Sequence, residues 1–468
     1  MTASTKKESI FNLFKQAVLG TEQNFTEGSI NRAIFLLSIP MILEMAMESV
    51  FALVDIFFVS RLNSNDSVAV IGLTESMLAI VYSLAMGISM GATAIVARRV
   101  GEKDPEGAAV AGVQAIFLGV GLSLLITVGG IFFYKDILRL MGASESMIAV
   151  GSQYTLWMFA GNMSIMMLFL INGIFRGAGN AAIAMRSLWI ANILNMILDP
   201  IFIFGWGIVP AYGVEGAAIA TNIGRSVGVA YQLYYLFSGK GIVRLNAKNF
   251  IADWEVIKRM VIVSLGATGQ FLISSASWIF LARIIAHFGS AAVAGYTIAI
   301  RVIIFTILPS WGMANAAATL VGQNLGAGQP DRAEKSVWKA GFMNMVFLGL
   351  VSIVFYFASE PILTFFTKDA EVIDYGTRCL QIVAFGYIMY GYGMVITQSF
   401  NGAGDTRTPT ILSFCGFWLF QIPLAYFLAT KTDLKTDGVF WAIAIAESAM
   451  AIAGIIIFRK GNWKKIKI

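Results

Sequence analysis

One histidine, His287, and two cysteines, Cys379 and Cys415, are all that this chain offers to the commonest catalytic and metal-binding chemistries. A single imidazole rules out an HExxH zinc helix, and no nucleophile with a histidine partner appears in the sequence. No Walker loop occurs either, so the sequence holds no candidate catalytic site and is not read as an enzyme. Both cysteines lie in apolar segments far from any ligand-like cluster, which excludes a disulfide framework and a thiolate metal site. Charge is scarce too. Asp, Glu, Lys and Arg make up 13% of the 468 residues, about half of the ~25% usual in a soluble domain. The N-terminus lacks a continuous apolar stretch and a small-residue cleavage motif, which argues against a removable signal peptide. Ser9 to Leu19 reads instead as a short amphipathic helix on a membrane surface.

What is abundant is apolar surface: 57% of the residues are hydrophobic and the mean hydropathy is +0.75. Twelve apolar stretches of roughly 20 residues recur along the chain, the length a helix needs to cross a hydrocarbon core about 30 Å thick. The first runs over 34–58, the second over 68–92, the fourth over 147–172 and the eleventh over 409–428. If the N-terminus is cytoplasmic, 23 of the 33 Lys and Arg fall in inside segments, 6 in outside loops and 4 within spans. The positive-inside rule then places both termini in the cytoplasm. That bias also accounts for the net charge of +6 without a nucleic acid or acidic partner.

The strongest organisational signal is an internal repeat. FRGAGN at 175–180 matches FNGAGD at 400–405, and the same offset of 225 pairs Gly101 with Gly326, Pro105 with Pro330, Gly87 with Gly312 and Gly161 with Gly386. A constant offset held through loops and spans indicates duplication. Six spans return the chain to its starting side, so the halves run in the same direction and are related by a pseudo-twofold axis along the membrane normal. The expected fold is an all-α membrane protein of twelve transmembrane helices in two six-helix lobes. A cytoplasmic segment (1–30) precedes the N-terminal lobe (31–238). A cytoplasmic linker (239–255), the C-terminal lobe (256–458) and a basic cytoplasmic tail (459–468) follow.

Polar side chains are unevenly divided between the halves. Glu44, Glu48 and Asp55 fall within roughly 40° of one another on a helical wheel, so span one carries three carboxylates on one face. In span five Asn192, Asn195 and Asp199 share a face in the same way, and Thr221 and Arg225 are an i, i+4 pair in span six. At the repeat offset Asp55 becomes Phe280, Glu48 becomes Ile273, and the surroundings of Asp199 become QIPLAYF at 421–427, with no acid. An ionised carboxylate in such a place costs several kcal/mol or more unless it is paired, solvated or protonated, so it marks a functional position. The competing reading of Asp55 and Asp199 is a static carboxylate bonded to Asn or Arg for packing. Arg225, Arg283, Arg301 and Glu447 are read as paired or snorkelling, and His287 as a boundary residue. Pro40 and Pro200 are weak points at which spans one and five could bend. Met and aromatic side chains suit promiscuous ligands, which makes Tyr154, Gln270, Trp278, Tyr387, Tyr390 and Met394 the candidates for a substrate wall, with plain helix packing as the alternative.

The pair VGEKDPEGA and LGAGQPDRA, the pair FRGAGN and FNGAGDTRTPT, and ILNMILDPIFIFGWG followed by YGVEGAAIATNIGR resemble the multidrug and toxic compound extrusion (MATE) transporters. The resemblance runs from Pro40 to about Phe458, and VDIFFV resembles the branch of DNA-damage-inducible protein F. What it implies is a secondary active exporter that antiports amphipathic organic cations against a proton or a sodium ion by alternating access. Such a protein needs no cofactor and works as a monomer in the bacterial plasma membrane, on a small-molecule substrate. The family's cation or proton site maps onto Asp55, Asn195, Asp199 and Thr221, with Asn172 nearby and Glu48 beside them. Members whose coupling acid lies on span seven have no counterpart here, because SLGATGQFLISSASWIFLARII contains none. Two competitors share the layout. A major-facilitator transporter would carry a GxxxDRxGRR-like loop where this chain has ARRVGEKDPEGA, and a flippase for lipid-linked sugars would need a strongly basic cleft.

Overall fold

The computed structural model describes residues 9–20, 24–61, 65–239 and 241–468. Lys6 and Lys7, counted in the charge bias, and Lys240 of the expected linker lie outside the described residues. In chain order the helices are α1 (Ile10–Leu19), α2 (Ile30–Ser60), α3 (Asn65–Gly101), α4 (Pro105–Leu140), α5 (Glu145–Ala160), α6 (Asn162–Gly177), α7 (Ala181–Phe204) and α8 (Val214–Phe237). After the segment between the halves come α9 (Trp254–Ala286), α10 (Ser290–Gly326), α11 (Pro330–Phe366), α12 (Ala370–Ala403), α13 (Arg407–Ser413), α14 (Ile422–Lys431) and α15 (Thr436–Arg459). Among the described residues nine helical stretches, and one bent pair, are long and apolar enough to cross a membrane. With α2 and α8, which carry polar side chains of the N-terminal lobe, they make up the twelve spans.

Several helices outrun the bilayer. Helices α3, α10 and α11 have 37 residues each, about 55 Å at 1.5 Å per residue, so Arg98 and Arg99 occupy the last turn of α3 instead of a loop. The turn chemistry of the repeat explains where the next helices begin. Asp104 accepts a hydrogen bond from the Gly107 amide at 2.8 Å and Pro105 opens α4; Pro330 opens α11 at the matching place. Proline at the first helical position has its φ already set and gives up no needed donor.

Two spans depart from the continuous helices expected of them. Span four is broken between α5 and α6 with a bend of 42°. At the break Gly161 faces the Asn222 side chain, which would overlap any Cβ placed there, and Asn222 Nδ2 donates to the Trp157 carbonyl at 2.7 Å. A side chain inserted into the helical ladder is a standard cause of a kink. Span eleven contains a π-helical stretch, Phe414–Gln421, between α13 and α14. Pro40 and Pro200, in contrast, lie inside uninterrupted α2 and α7.

The lobes meet at the end of the molecule that carries the arginines and lysines of the repeat loops, here called the basic face. There α2 packs on α10, and α3 on α9 and α10. Arg98 Nη2 donates to the carbonyls of Ala403 and Ile466, both at 3.2 Å. Gln323 Nε2 reaches the Gly177 carbonyl at 2.9 Å, and Thr319 Oγ1 the Arg176 carbonyl at 3.2 Å. An apolar core that includes Ile34, Met41, Leu320 and Phe400 fills this seam. The C-terminal segment is folded into the same region, with Trp463 buried and stacked on Phe458 at 4.5 Å. Helix α1 rests on α2 and α7, with Ile10, Phe11, Phe14 and Leu19 exposed along it.

Candidate functional site

The repeat offset that leaves the C-terminal lobe without these acids gives the N-terminal lobe a polar interior, and the structure divides it into two networks. The outer one joins α7 and α8. Asp199 is fully buried, one turn from Asn195 on α7. With the Asn195 amide oriented to satisfy both neighbours, its Nδ2 donates to Asp199 Oδ2 at 3.0 Å, and its Oδ1 accepts from Thr221 Oγ1 at 3.0 Å and from the Thr221 backbone amide at 2.8 Å. Asp55, half-buried on α2, makes no direct bond to this trio but lies within electrostatic range of Asp199. On its other side stands Arg225, whose Nη1 donates to the Tyr82 hydroxyl at 2.9 Å and whose charge acts on both Asp55 and Glu48. Glu48 accepts from Asn192 Nδ2 at 2.9 Å.

The inner network is centred on Glu44, which is 1% exposed. Asn172 Nδ2 donates to Glu44 Oε1 at 3.0 Å, and Arg176 Nη1 lies 3.4 Å from the same oxygen. Asn172 Oδ1 accepts from Ser187 Oγ at 2.9 Å and from Gln232 Nε2 at 2.6 Å. Arg176 also donates to Ser89 Oγ at 2.9 Å. Asn172, expected beside Asp199, is therefore bonded to Glu44. It sits on α6 nearer the basic face, so its amide reaches the first carboxylate of α2 rather than the third.

Of the coupling candidates, the structure thus brings Asp199, Asn195 and Thr221 into contact, sets Asp55 in range of them, and gives Glu48 and Asn172 to other partners. One acid was overlooked in the sequence. Glu75 on α3 interrupts an apolar span just as Asp55 does, and that signal alone could have found it. Glu75 is exposed, and its charge is acted on by Asp55 of its own lobe and by Arg301 of α10. Asp199, Asp55, Glu75 and Arg301 therefore form an electrostatic chain from the core of one lobe to the surface of the other.

The substrate-wall candidates scatter. Trp278, Tyr387 and Tyr390 line one cavity in the C-terminal lobe. Tyr154 is buried in the N-terminal lobe within range of Asp55 and Glu75. Gln270 exchanges hydrogen bonds with Asn401 at 3.0 and 3.1 Å and faces the α12–α13 turn. Met394 packs against the seam core, where its sulfur accepts from Ser310 Oγ at 3.5 Å. A stripe at helical spacing shares a face, but neighbouring helices decide which part of that face meets a cavity. Among the described residues no group of three or more His, Cys, Asp or Glu is arranged to hold a metal.

Twelve spans in two like-directed lobes, joined at one face and with a hydrogen-bonded network of acids inside the N-terminal lobe, define a two-lobed polytopic membrane protein. The family described as MatE matches residues 40–201 and 267–427, one copy in each lobe. The chain is 26% identical over 452 residues to the protein of Bacillus subtilis (strain 168) named probable multidrug resistance protein YoeA, covering 95% of this chain and 97% of that one. It is 25% identical over 434 residues to multidrug export protein MepA of Staphylococcus aureus (strain MSSA476), covering 92% and 94%. A solved structure described as the outward-facing conformation of a multidrug resistance MATE family transporter superposes with a TM-score of 0.89 at 28% identity, covering 94% of this chain and 98% of that one. The chain belongs to the MatE family, whose members are membrane transporters and not enzymes. A major-facilitator assignment is thereby removed.

Proposed function

We propose that this protein is a secondary active multidrug exporter of the plasma membrane. In this reading it expels amphipathic organic cations against a proton or a sodium ion, with both termini and the basic face in the cytoplasm. The relatives named as multidrug resistance and export proteins support the substrate class. LVDIFFV supports the branch of DNA-damage-inducible protein F, and with it an N-lobe coupling site.

The observation that carries the mechanism is the asymmetry of the lobes. Asp199, Asn195 and Thr221 are bonded into one unit with Asp55 in range, whereas the repeat partners of Asn195 and Asp199 in span eleven are Phe420, in the π-helical stretch, and Leu424 of α14, with no acid at either place. Two carboxylates that interact in a low-dielectric interior bind protons, or a cation, as a coupled pair. Occupancy by a proton removes the repulsion between Asp55 and Asp199. Occupancy by sodium would use the same carboxylate, amide and hydroxyl oxygens, which are the hard ligands such an ion takes. Either event changes what Asn195 and Thr221 must satisfy, and so biases α7 and α8 against α2. Because a ligand shifts a two-state equilibrium only through its differential affinity, coupling requires that the site differ between the two states. Glu75 of α3 and Arg301 of α10 are both exposed and act on each other electrostatically across the two lobes, and in this reading they flank the outward path.

The test is dye efflux from reconstituted or everted vesicles, driven separately by an imposed pH gradient and an imposed sodium gradient. Export with one gradient and none with the other identifies the ion. No export with either sinks the reading.

A further inference from the structure

The chain between α8 and α9, GIVRLNAKNF at 241–250, is docked along α4. Its apolar and polar residues alternate: Val243 and Leu245 are buried in the core of the N-terminal lobe, whereas Arg244 and Asn246 are exposed. The Leu245 amide donates to the Leu236 carbonyl at 3.0 Å. Gln114, buried on α4, holds the far end, donating to the Ile251 carbonyl at 2.9 Å and accepting from the Asp253 amide at 3.2 Å. Between these fixed points the linker and the start of α4 border a cavity of about 540 Å³, whose walls include Glu106, Ala109, Arg244, Asn246, Lys248 and Asn249.

The polar groups of this cavity keep donors to spare. Asn246 and Asn249 use their side-chain carbonyl oxygens in a capping box around the 3-10 turn Ala247–Asn249, with the Asn246 backbone amide donating to Asn249 Oδ1 at 2.9 Å. Arg244 gives its Nε to the Gly241 carbonyl at 2.9 Å. Among the described residues no ion pair holds Arg244, Lys248 or Glu106, and no hydrogen bond uses the side-chain N–H groups of the two asparagines. Arginine and lysine are natural partners of phosphate oxygens, arginine through two parallel donors. Two basic groups against one carboxylate leave a surplus of one positive charge. That surplus matches a phosphodiester, with its single negative charge, better than a phosphate monoester, which carries roughly two. The volume lies within the roughly 300–1,000 Å³ typical of small-molecule pockets.

Apolar surface continues from the cavity into the membrane. About two turns beyond Ala109, roughly 12 Å along α4, Phe117 packs edge-on against Phe250 at 6.0 Å, and Phe250 stacks on Phe237 at 6.1 Å. Phe237, Phe250, Ile251 and Trp254 are exposed, and farther along α4 so are Leu124, Leu125 and Val128. Aromatic rings gather at the level where headgroups give way to hydrocarbon, and basic pockets at helix ends on the cytoplasmic side take anionic headgroups. We propose that the cavity holds the phosphodiester headgroup of an anionic phospholipid such as phosphatidylglycerol. Its phosphate lies between Arg244 and Lys248, its glycerol hydroxyls face Asn246, Asn249 and Glu106, and its acyl chains run along α4. The site goes beyond the exporter reading and does not depend on it.

The experiment is native mass spectrometry of the delipidated full-length protein, incubated with phosphatidylglycerol, with phosphatidylcholine of the same acyl chains, or with glycerol 3-phosphate. Wild type should retain one phosphatidylglycerol at concentrations where neither of the others is held. Arg244→Gln combined with Lys248→Gln should weaken that binding roughly tenfold or more, while Arg244→Lys, which keeps the charge, should retain most of it. Lys335→Gln combined with Lys339→Gln removes the same charge from exposed positions of α11 and should leave binding unchanged. Elution profile and thermal midpoint check that each variant is folded. Wild-type binding in the folded Arg244 and Lys248 double variant overturns the proposal, as does an equal loss in both double variants, which would mean a diffuse attraction to basic surface. Phosphatidylcholine held as tightly removes the selection for an anion, and glycerol 3-phosphate held as tightly replaces the lipid by a soluble phosphate; either result also overturns it.

Discussion

Gly101 and Gly326, partners at the repeat offset, each lie against the other lobe's backbone: a Cβ on Gly101 would overlap the Gln323 carbonyl, and one on Gly326 the Arg98 carbonyl. Arg98 and Gln323 are themselves repeat partners, so the contact is self-complementary, as a twofold relation demands. It also closes the basic face. Backbone carbonyls cannot swing away as side chains do, so Gly101→Ala can be accommodated only by separating the lobes there. At a typical overpacking cost of about 1–3 kcal/mol, this should shift the population toward a state open at the basic face by roughly fivefold to a hundredfold. A cysteine at Thr319, buried in the seam, should then react faster with an impermeant maleimide, in a background with Cys379 and Cys415 replaced. Unchanged labelling would mean that the seam is not the closed gate.

Orientation is tested through charge. Cysteines at Lys103 and Lys248 should react with impermeant reagents from the cytoplasmic side only, and one at Lys435 from outside only, as the positive-inside rule requires. Reversed labelling would invert the proposed direction of transport.

Much of this architecture was legible in the sequence because bilayer thickness and the repeat each impose a length that composition must respect. The acids of the N-terminal lobe were legible for the same reason: one carboxylate in an apolar run is a large energetic anomaly. What was not legible depends on contacts between helices. The break at Gly161 comes from Asn222 of another span, and Asn172 is drawn to Glu44 because α6 passes α2 nearer the basic face. The π-helical stretch at Phe414–Gln421 has no signature in a uniformly apolar run. Glu75 was missed differently, since its anomaly was as plain as that of Asp55.

Glu75 and Arg301 offer a test of the outward path. They lie one residue out of register at the repeat offset, on α3 and α10, within electrostatic range but without an ion pair. When the far face closes, these helices approach each other and the two charges should pair. Glu75→Gln and Arg301→Gln should each lower efflux several-fold, and the exchange Glu75→Arg with Arg301→Glu should recover part of it, as a double-mutant cycle detects. An exchange no better than its worse single variant would show that the charges do not meet.

Asp55 decides the coupling mechanism. Asp55→Asn keeps the size of the side chain and part of its hydrogen bonding but removes its charge and titratable proton. The protein should still insert and bind substrate, yet lose gradient-driven efflux. Asp199→Asn should do the same, because its carboxylate is the acceptor that Asn195 Nδ2 uses. If the two act as one unit, the double variant should be little worse than either single one, whereas independent sites would add their losses. Phe280, the repeat partner of Asp55, is the internal control. It packs edge-to-face on Trp418 at 5.2 Å, so Phe280→Leu should perturb packing and leave the dependence on the gradient intact. Wild-type efflux in Asp55→Asn would make that aspartate a structural carboxylate held by Arg225. Additive losses would instead place Asp55 and Asp199 in separate steps of the cycle, one binding the ion and the other moving the helices.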